Sequence, residues 1–372
     1  MIAEAKASTF PLRADKETPG QPEEHHLADV AIQSWLAVES ELPVRGAELD
    51  LLNNRWRYPG GGDYRGLFRA YDVTGKIQTL IAMVPTWLLE AQAVLAGELP
   101  NVTRGKQCSS PYACLFYERC GNLEPPAEAH PIELLPDAGG KALARRLRAT
   151  KGYVSILDPD PEELEGPNST LYRRVRAAHR SGEAILESGA ADRLQSLPYP
   201  RYYFDFEGID LAVPHWSGVR PFEQIPFQWS CHIERAPGVF EHAEFLDLSG
   251  DDPSTGCISQ MLANIGPDDQ GPILVYSETY ERGVLRGLAE RHPQHAAALH
   301  RYIDRLVDLL PIVRDNFYHP RMRGSFSIKR VLPVIAPDLG YSQLEDVADG
   351  TAAQLAYLAA ALKLPSQPSD PA

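Results

Sequence analysis

The chain is short of positive charge, sparse in cysteine and without a long apolar run. Its 372 residues carry 36 Lys and Arg against 50 Asp and Glu, a formal net charge of −14. That deficit argues against a protein that coats nucleic acid through bulk positive charge. It leaves room for an enzyme that grips a strand along one basic strip beside an acidic metal site. No run of about 18 apolar residues stands out, so a membrane span is not expected. The opening MIAEAKASTF lacks the apolar core of a secretory signal, and a cytoplasmic location is the expectation. Five cysteines, an odd and sparse number, make a poor disulfide framework. Apolar residues, by contrast, reach 44%, enough to fill a sizeable core. The 32 prolines exceed the ~5% of an average chain and favour many interrupted elements. The length suits two or three domains at roughly 100–200 residues each.

Three of the cysteines cluster. Cys108, Cys114 and Cys120 lie in CSSPYACLFYERC at a C-x5-C-x5-C spacing, beside Tyr112, Phe116 and Tyr117. Thiolates brought together usually mean a metal or an iron–sulfur cluster; three buried thiols packing as small hydrophobes is the other reading. A four-iron cluster needs a fourth ligand, and no cysteine precedes Cys108. Cys231 and Cys257 stand far along the chain and are expected in a core.

From His26, HLADVAIQSWLAVES reads as an amphipathic helix with Val30, Ile32, Leu36 and Val38 toward a core. AELDLLNNRWRYPG suggests a strand with YPGGGDY as a turn, and VTGKIQTLIAMVPTWLLEAQAVLAGEL a long helix with a break at Pro85. After the cysteines comes a Pro-rich linker, then two basic helical patches, GGKALARRLRATKG and TLYRRVRAAHRSG. Composition shifts near Leu197. RYYFDFEGI, IPFQWSCHIE and GVFEHAEFLDL read as successive strands; SQMLANIG, PILVYS and YERGVLRGLAERH then alternate helix, strand and helix. AAALHRYIDRLVDLLPIVRD reads as helical or helix–strand, and FSIKRVLPVI and TAAQLAYLAAALKL as helices. Three strands followed by alternating helix and strand describe an α/β domain with a mixed sheet. RNase H-like folds have that layout, but element order alone does not select one fold.

The most informative short motif is Asp205-Phe206-Glu207 inside an aromatic strand. Side chains alternate along a strand, so the two carboxylates share a face and Phe206 points the other way. Such a pair repels itself, and a hard divalent cation, Mg²⁺ or Mn²⁺, offsets the repulsion. In two-metal phosphodiesterases the ions sit ~3.5–4 Å apart and stabilise the attacking and leaving oxygens. An exposed pair of strand carboxylates is the plain alternative. Glu281 opens the helix after PILVYS, with Glu278 as a competing acid. Asp308 sits among Leu306, Val307, Leu309 and Leu310, an acid in an apolar setting that needs a partner; an exposed position on an amphipathic helix would explain it equally. Beyond it collect Arg314, His319, Arg321, Arg323, Lys329 and Arg330, interleaved with Phe317, Tyr318 and Phe326. These could hold a phosphate backbone and stack bases, or form a solvated surface loop.

The segments RYYFDFEGI, RPFEQIPFQWSCHIE, VYSETYERGVL, VDLLPIV, YHPRMRGSFSIKRVLP and PDLGYSQLEDVADGTAA occur in this order. Over roughly residues 197–360 they resemble a bacterial family, domain of unknown function 2779. The resemblance implies an RNase H-like exonuclease of the DEDD type. Its carboxylates would be Asp205 and Glu207, then Glu281, with Asp308 accompanying, and its polarity 3′→5′. In such proteins a RecB-like PD-(D/E)xK segment with an iron–sulfur cysteine cluster often precedes the domain. Glu4-Ala5-Lys6 is similar to that segment's E-x-K motif, Asp29 and Gln33 fall in the following helix, and CSSPYACLFYERC is similar to its three clustered cysteines. Two departures stand out. The family's closing tyrosine–cysteine motif with a final aspartate does not follow TAA, where Asp346 and Asp349 are the nearby acids. The strands, first acid and fourth cysteine expected before Glu4 are not there either.

The expectation is an α/β chain in three parts. Residues 1–122 would be a partial RecB-like, restriction-endonuclease-like segment, and 123–196 a linker and helical connector. Residues 197–365 would be an RNase H-like domain with helices flanking a mixed sheet. Its expected activity is metal-dependent hydrolysis of DNA or RNA, single-stranded by expectation. The alternatives are a catalytically defective nucleic-acid-binding or accessory protein, or a fragment of a longer two-nuclease protein.

Overall fold

The computed structural model describes residues 1–12, 20–100, 102–122, 128–339 and 350–363. The chain forms two compact units: Met1–Pro126 with Asp210–Glu223, and Ala127–Ile209 with Gln224–Ala372.

The first unit opens with strand β1 (Ile2–Thr9), helix α1 (Glu24–Glu39) and strand β2 (Ala47–Leu52). Strands β1 and β2 pair in parallel, as a crossover helix permits, and β3 (Phe68–Asp72) adds antiparallel to β2. Leu49 and Leu51 of β2 are buried with Val30, Ala31, Val73 and Ile77. Of the α1 residues expected toward a core, Val30 alone is buried. His26, Val30, Ala31, Ser34 and Ala37 are buried, while Ile32, Leu36 and Val38 stand exposed. Small side chains let the helix lie close to its neighbours, and the larger apolar residues are left outside.

Helix α2 (Gln78–Ala96) runs through Pro85 without ending there. An 18-residue stretch of it has a mean hydropathy of 1.5 and buries little, with Leu88, Leu89, Val94 and Leu95 exposed. By length and composition alone it is apolar enough to cross a bilayer, which corrects the expectation that no such segment exists. Helix α3 (Tyr117–Asn122) carries Cys120.

The second unit begins with helices α4 (Asp137–Lys151) and α5 (Ser169–Ser181), the short strand β4 (Ile185–Leu186) and helix α6 (Gly189–Gln195). Gly152 and Gly182 end α4 and α5 in the left-handed conformation, with φ of 72° and 76°, which only glycine adopts without strain. The main sheet follows: β5 (Arg201–Ile209), β6 (Ile225–Ala236) and β7 (Val239–Leu246) as an antiparallel meander. Helix α7 (Ser254–Ile265), strand β8 (Ile273–Val275), helix α8 (Thr279–Arg291), helix α9 (Ala296–Arg305) and strand β9 (Leu306–Asp308) come next. Both β8 and β9 run parallel to β5, and the spatial order is β7-β6-β5-β8-β9.

Period-two alternation sets what each face of this sheet buries. Tyr202, Phe204 and Phe206 of β5 and Trp229, Cys231 and Ile233 of β6 point into one core with residues of α7, α8 and α9. Cys257 joins them, so Cys231 and Cys257 lie in the core as expected.

The last elements are α10 (Leu309–Asn316), β10 (Phe317–Tyr318), α11 (Ile328–Ile335) and α12 (Gly350–Ala360), with β10 pairing antiparallel to β4. A second core in this unit joins Ile132, Leu135, Leu143, Tyr172 and Val175 to Tyr318, Met322 and Val331. The boundary drawn near 196 therefore falls inside a packed unit. The stretch expected as a linker and helical connector shares a core with residues 318–331.

Candidate functional site

Strands β5, β8 and β9 are parallel neighbours, and the expected acids gather at their carboxyl ends. Asp205 and Glu207 lie on the sheet face opposite Phe204 and Phe206. Leu274 pairs with Tyr203 and Val275 with Asp308, so Asp308 is level with Phe204, one residue before Asp205. Glu281 sits in the first turn of α8, directly after β8. Carboxyl ends of parallel strands are the usual place for a ligand in an α/β sheet.

The electrostatics of this group are unfavourable. Glu281 is only 4% exposed, and its Oε2 has no hydrogen-bond partner among the described residues. Burial, with the charges of Asp205 and Asp308 adding to it, pushes its carboxyl up to about 7. Asp205 reaches solvent, yet the protein packed around it withdraws enough water to raise its pKa as well.

Asp308 has a second task. Its Oδ1 accepts the backbone N–H of Leu310 at 2.9 Å, capping α10, and that of Ser277 at 2.8 Å. Ser277 has φ +69°, so the carboxylate fixes a strained turn between β8 and α8. It is the last residue of β9, in agreement with the helix–strand alternative for this segment. Glu278, the competing acid, is paired with Arg282 at 2.6 Å, while Glu281 faces the other acids.

Helix α12 closes over the same strand. A Cβ at Gly350 would stand 3.4 Å from Glu207 Oε2, and Gln354 donates to the Gly208 carbonyl at 3.0 Å. A helix N-terminus beside a carboxylate is electrostatically favourable. Asp346 and Asp349 lie outside the described residues.

These oxygen donors, one of them buried and unpartnered, suit a hard divalent cation in chemistry and charge. Their positions do not complete a ligand shell. Among the described residues no three His, Cys, Asp or Glu side chains are gathered closely enough to hold a metal ion. The described cysteines are likewise not gathered into such a group. Cys108 is buried, Cys114 and Cys120 are partly buried, and all three are free thiols. The Cys114 N–H donates to the Cys108 carbonyl at 2.9 Å, but the thiols do not form a ligand set.

In the first unit, Glu4 and Lys6 share one face of β1 and meet α1. Lys6 pairs with Glu4 at 2.9 Å and bonds to Asp29; Gln33 donates to Glu4 at 3.0 Å and to Asp29 at 3.2 Å. The hydrogen bond from Lys6, reinforced by Gln33, holds the Glu4 carboxyl below its ordinary range, and Lys6 does the same for Asp29. Burial opposes the Lys6 charge, but its bonds to Asp29 and Glu4 win and raise its pKa.

The basic residues after Asp308 divide. Arg314 pairs with Asp315 at 3.1 Å, and Arg323 donates to the Ala129 carbonyl at 2.6 Å. The His319 ring accepts the Arg321 N–H at 3.0 Å, while Arg321, Lys329 and Arg330 are exposed. Of the interleaved aromatics, Phe317 and Phe326 are only partly buried. Tyr318 is fully buried, and Phe317 and Phe326 pack against the same core.

This acid-lined α/β unit is where the chain meets a known family. Residues 202–327 match the family model described as a domain of unknown function, DUF2779. The match contains Asp205, Glu207, Glu281 and Asp308, together with Arg314 and Arg323. No curated protein and no solved structure matches the chain.

Proposed function

We propose that the second unit is a metal-dependent nuclease of the RNase H-like class, hydrolysing phosphodiester bonds in nucleic acid. The observation that carries the reading is Glu281, a buried carboxyl with an unpartnered oxygen, destabilised by Asp205 and Asp308. A protein keeps such a group where a ligand relieves it. The sheet order, three antiparallel strands followed by two parallel ones beside the first, supports the same class.

Asp205, Glu207 and Glu281 would hold Mg²⁺ or Mn²⁺. When bound, such ions lower the pKa of water and stabilise charge on phosphoryl oxygens. The chain's own residues supply the rest. Phe204 and Phe206 anchor β5 in the core, and this fixes the direction in which Asp205 and Glu207 point. Asp308 holds the turn that places Glu281, through its bond to Ser277. The 3′→5′ polarity follows from the family resemblance, and the first unit's Glu4, Lys6, Asp29 and Gln33 would belong to a RecB-like centre.

The test uses purified protein, Mn²⁺, and single-stranded DNA and RNA labelled at either end. Turnover that needs the metal and falls to background in Asp205→Ala/Glu207→Ala is the expected result. Loss of label from the 3′ end first would fit the polarity. Activity unchanged in the double variant would reject the site. Salt-dependent binding with no turnover would favour the accessory-protein reading.

A further inference from the structure

Beside the acids of the second unit lies a groove of about 720 Å3. Ligand sites commonly occupy ~300–1,000 Å3. Its walls come from five separate stretches: the start of α4, Leu171 of α5, the turn after β8, α10, and the loop leading into α11. Three cations line it, Lys141, Arg314 and Arg323, with the hydroxyls of Ser277, Ser325 and Ser327.

The acid in the lining, Asp137, is already engaged. Its Oδ1 accepts from the Gly140 N–H and the Tyr172 hydroxyl, and its Oδ2 from Asn168. Each cation is held by one partner and keeps donors to spare. Lys141 bonds to the Glu133 carbonyl, Arg314 to Asp315, and Arg323 to the Ala129 carbonyl. An ammonium has three N–H donors and a guanidinium five.

Groove and acid cluster share a wall. Asp308 Oδ1 binds the N–H groups of Ser277 and Leu310, both of which line the groove. The Tyr276 hydroxyl donates to the Phe326 carbonyl at 2.6 Å and ties the loop before α11 to the end of β8. Three cations from three elements facing one groove repel one another, in a chain whose net charge is −14. An anion relieves that repulsion, and hydroxyls beside arginine and lysine suit phosphate oxygens.

We propose that this groove seats the phosphates of a nucleic-acid strand whose next phosphodiester lies at the acids, with Lys141 of α4 completing the site. The proposal rests on the nuclease reading above for the identity of its ligand. A free mononucleotide would offer the same phosphate chemistry, and the experiment separates the two.

The full chain is titrated with a fluorescent 20-nucleotide single strand in EDTA, across a range of KCl concentrations. Lys141→Gln and Arg314→Gln should each flatten the slope of log K against log salt by about 0.7. Arg286→Gln, on an exposed position of α8, should leave it unchanged. A urea midpoint for each variant shows whether it remains folded.

Unchanged slopes in both folded groove variants, or no strand binding at low salt, overturn the proposal. Saturation by a deoxynucleoside monophosphate without strand binding also overturns it and assigns the groove to free nucleotide. The two readings fail separately. Groove-dependent binding without Mn²⁺-dependent turnover sinks the nuclease alone. Turnover with unaltered salt slopes sinks the groove alone.

Discussion

His179 stands in the second unit's core with both ring nitrogens engaged. Nδ1 faces His130 Nδ1 at 3.1 Å, and Nε2 faces the Tyr318 hydroxyl at 3.0 Å, which in turn accepts the Gly324 N–H. Burial, with His130, Arg323 and His319 nearby, holds its pKa down at about 4. In the unfolded chain the ring titrates near ~6.5. Between these values the unfolded state binds the proton and the folded state does not. Stability is therefore full above pH ~6.5 and is lost as pH falls toward 4. Between pH 7.5 and 5 the loss should be about 2 kcal/mol. Urea midpoints at the two pH values check this. His179→Gln should be less stable at pH 7.5, yet show a shallower pH dependence than the parent chain; an equal dependence would exclude His179 as its source. Glu281 teaches a related lesson. Its position after PILVYS marked it as a candidate, but only the folded chain shows Glu278 paired with Arg282 and Glu281 buried against two other acids.

At the scale of elements, regular periodicity was readable. The aromatic runs become β5, β6 and β7, and the basic patches become α4 and α5, because alternation and helical spacing are local properties. Trp229 shows what that alternation buys: it is fully buried, paired with Phe206 across the strands and stacked near Phe204 at 5.9 Å. Trp229→Ala should cost about 3–5 kcal/mol, read from the denaturant midpoint. Which face a helix buries was less readable. Helix α1 keeps Val30 of its expected stripe inside and otherwise buries His26, Ala31, Ser34 and Ala37 in place of Ile32, Leu36 and Val38. Of the aromatics Phe317, Tyr318 and Phe326, Tyr318 is fully buried, and the other two pack partly exposed on a core supplied by residues more than a hundred positions earlier. Lys141 had a signal, the basic patch around α4, though nothing local ties it to Arg314 and Arg323. Tyr276→Phe should loosen the loop before α11 through loss of the bond to Phe326. The expected sign is faster amide exchange in residues 323–327, with the main sheet unaffected.

On the scale of the molecule, the two compact units cut across the boundaries that composition suggests. Asp210–Glu223 belongs to the first unit although the strands flanking it belong to the second. A fragment beginning at 197 would expose Tyr318, Met322 and Val331, which are covered by residues of α4 and α5. It should lose cooperative unfolding, whereas the full chain should retain it; circular dichroism in urea distinguishes the two. Local pattern was enough for the strands β5 to β7, the helices α4 and α5, the shared face of Asp205 and Glu207, and the match of residues 202–327 to a family model, since these depend on neighbours a few positions apart. Tertiary structure alone decided that Glu281 is buried, that Asp308 serves both the turn and the acids, and that Lys141 joins two distant arginines. Burial and charge at those positions come from groups brought together by the sheet order, a long-range property that no local pattern encodes.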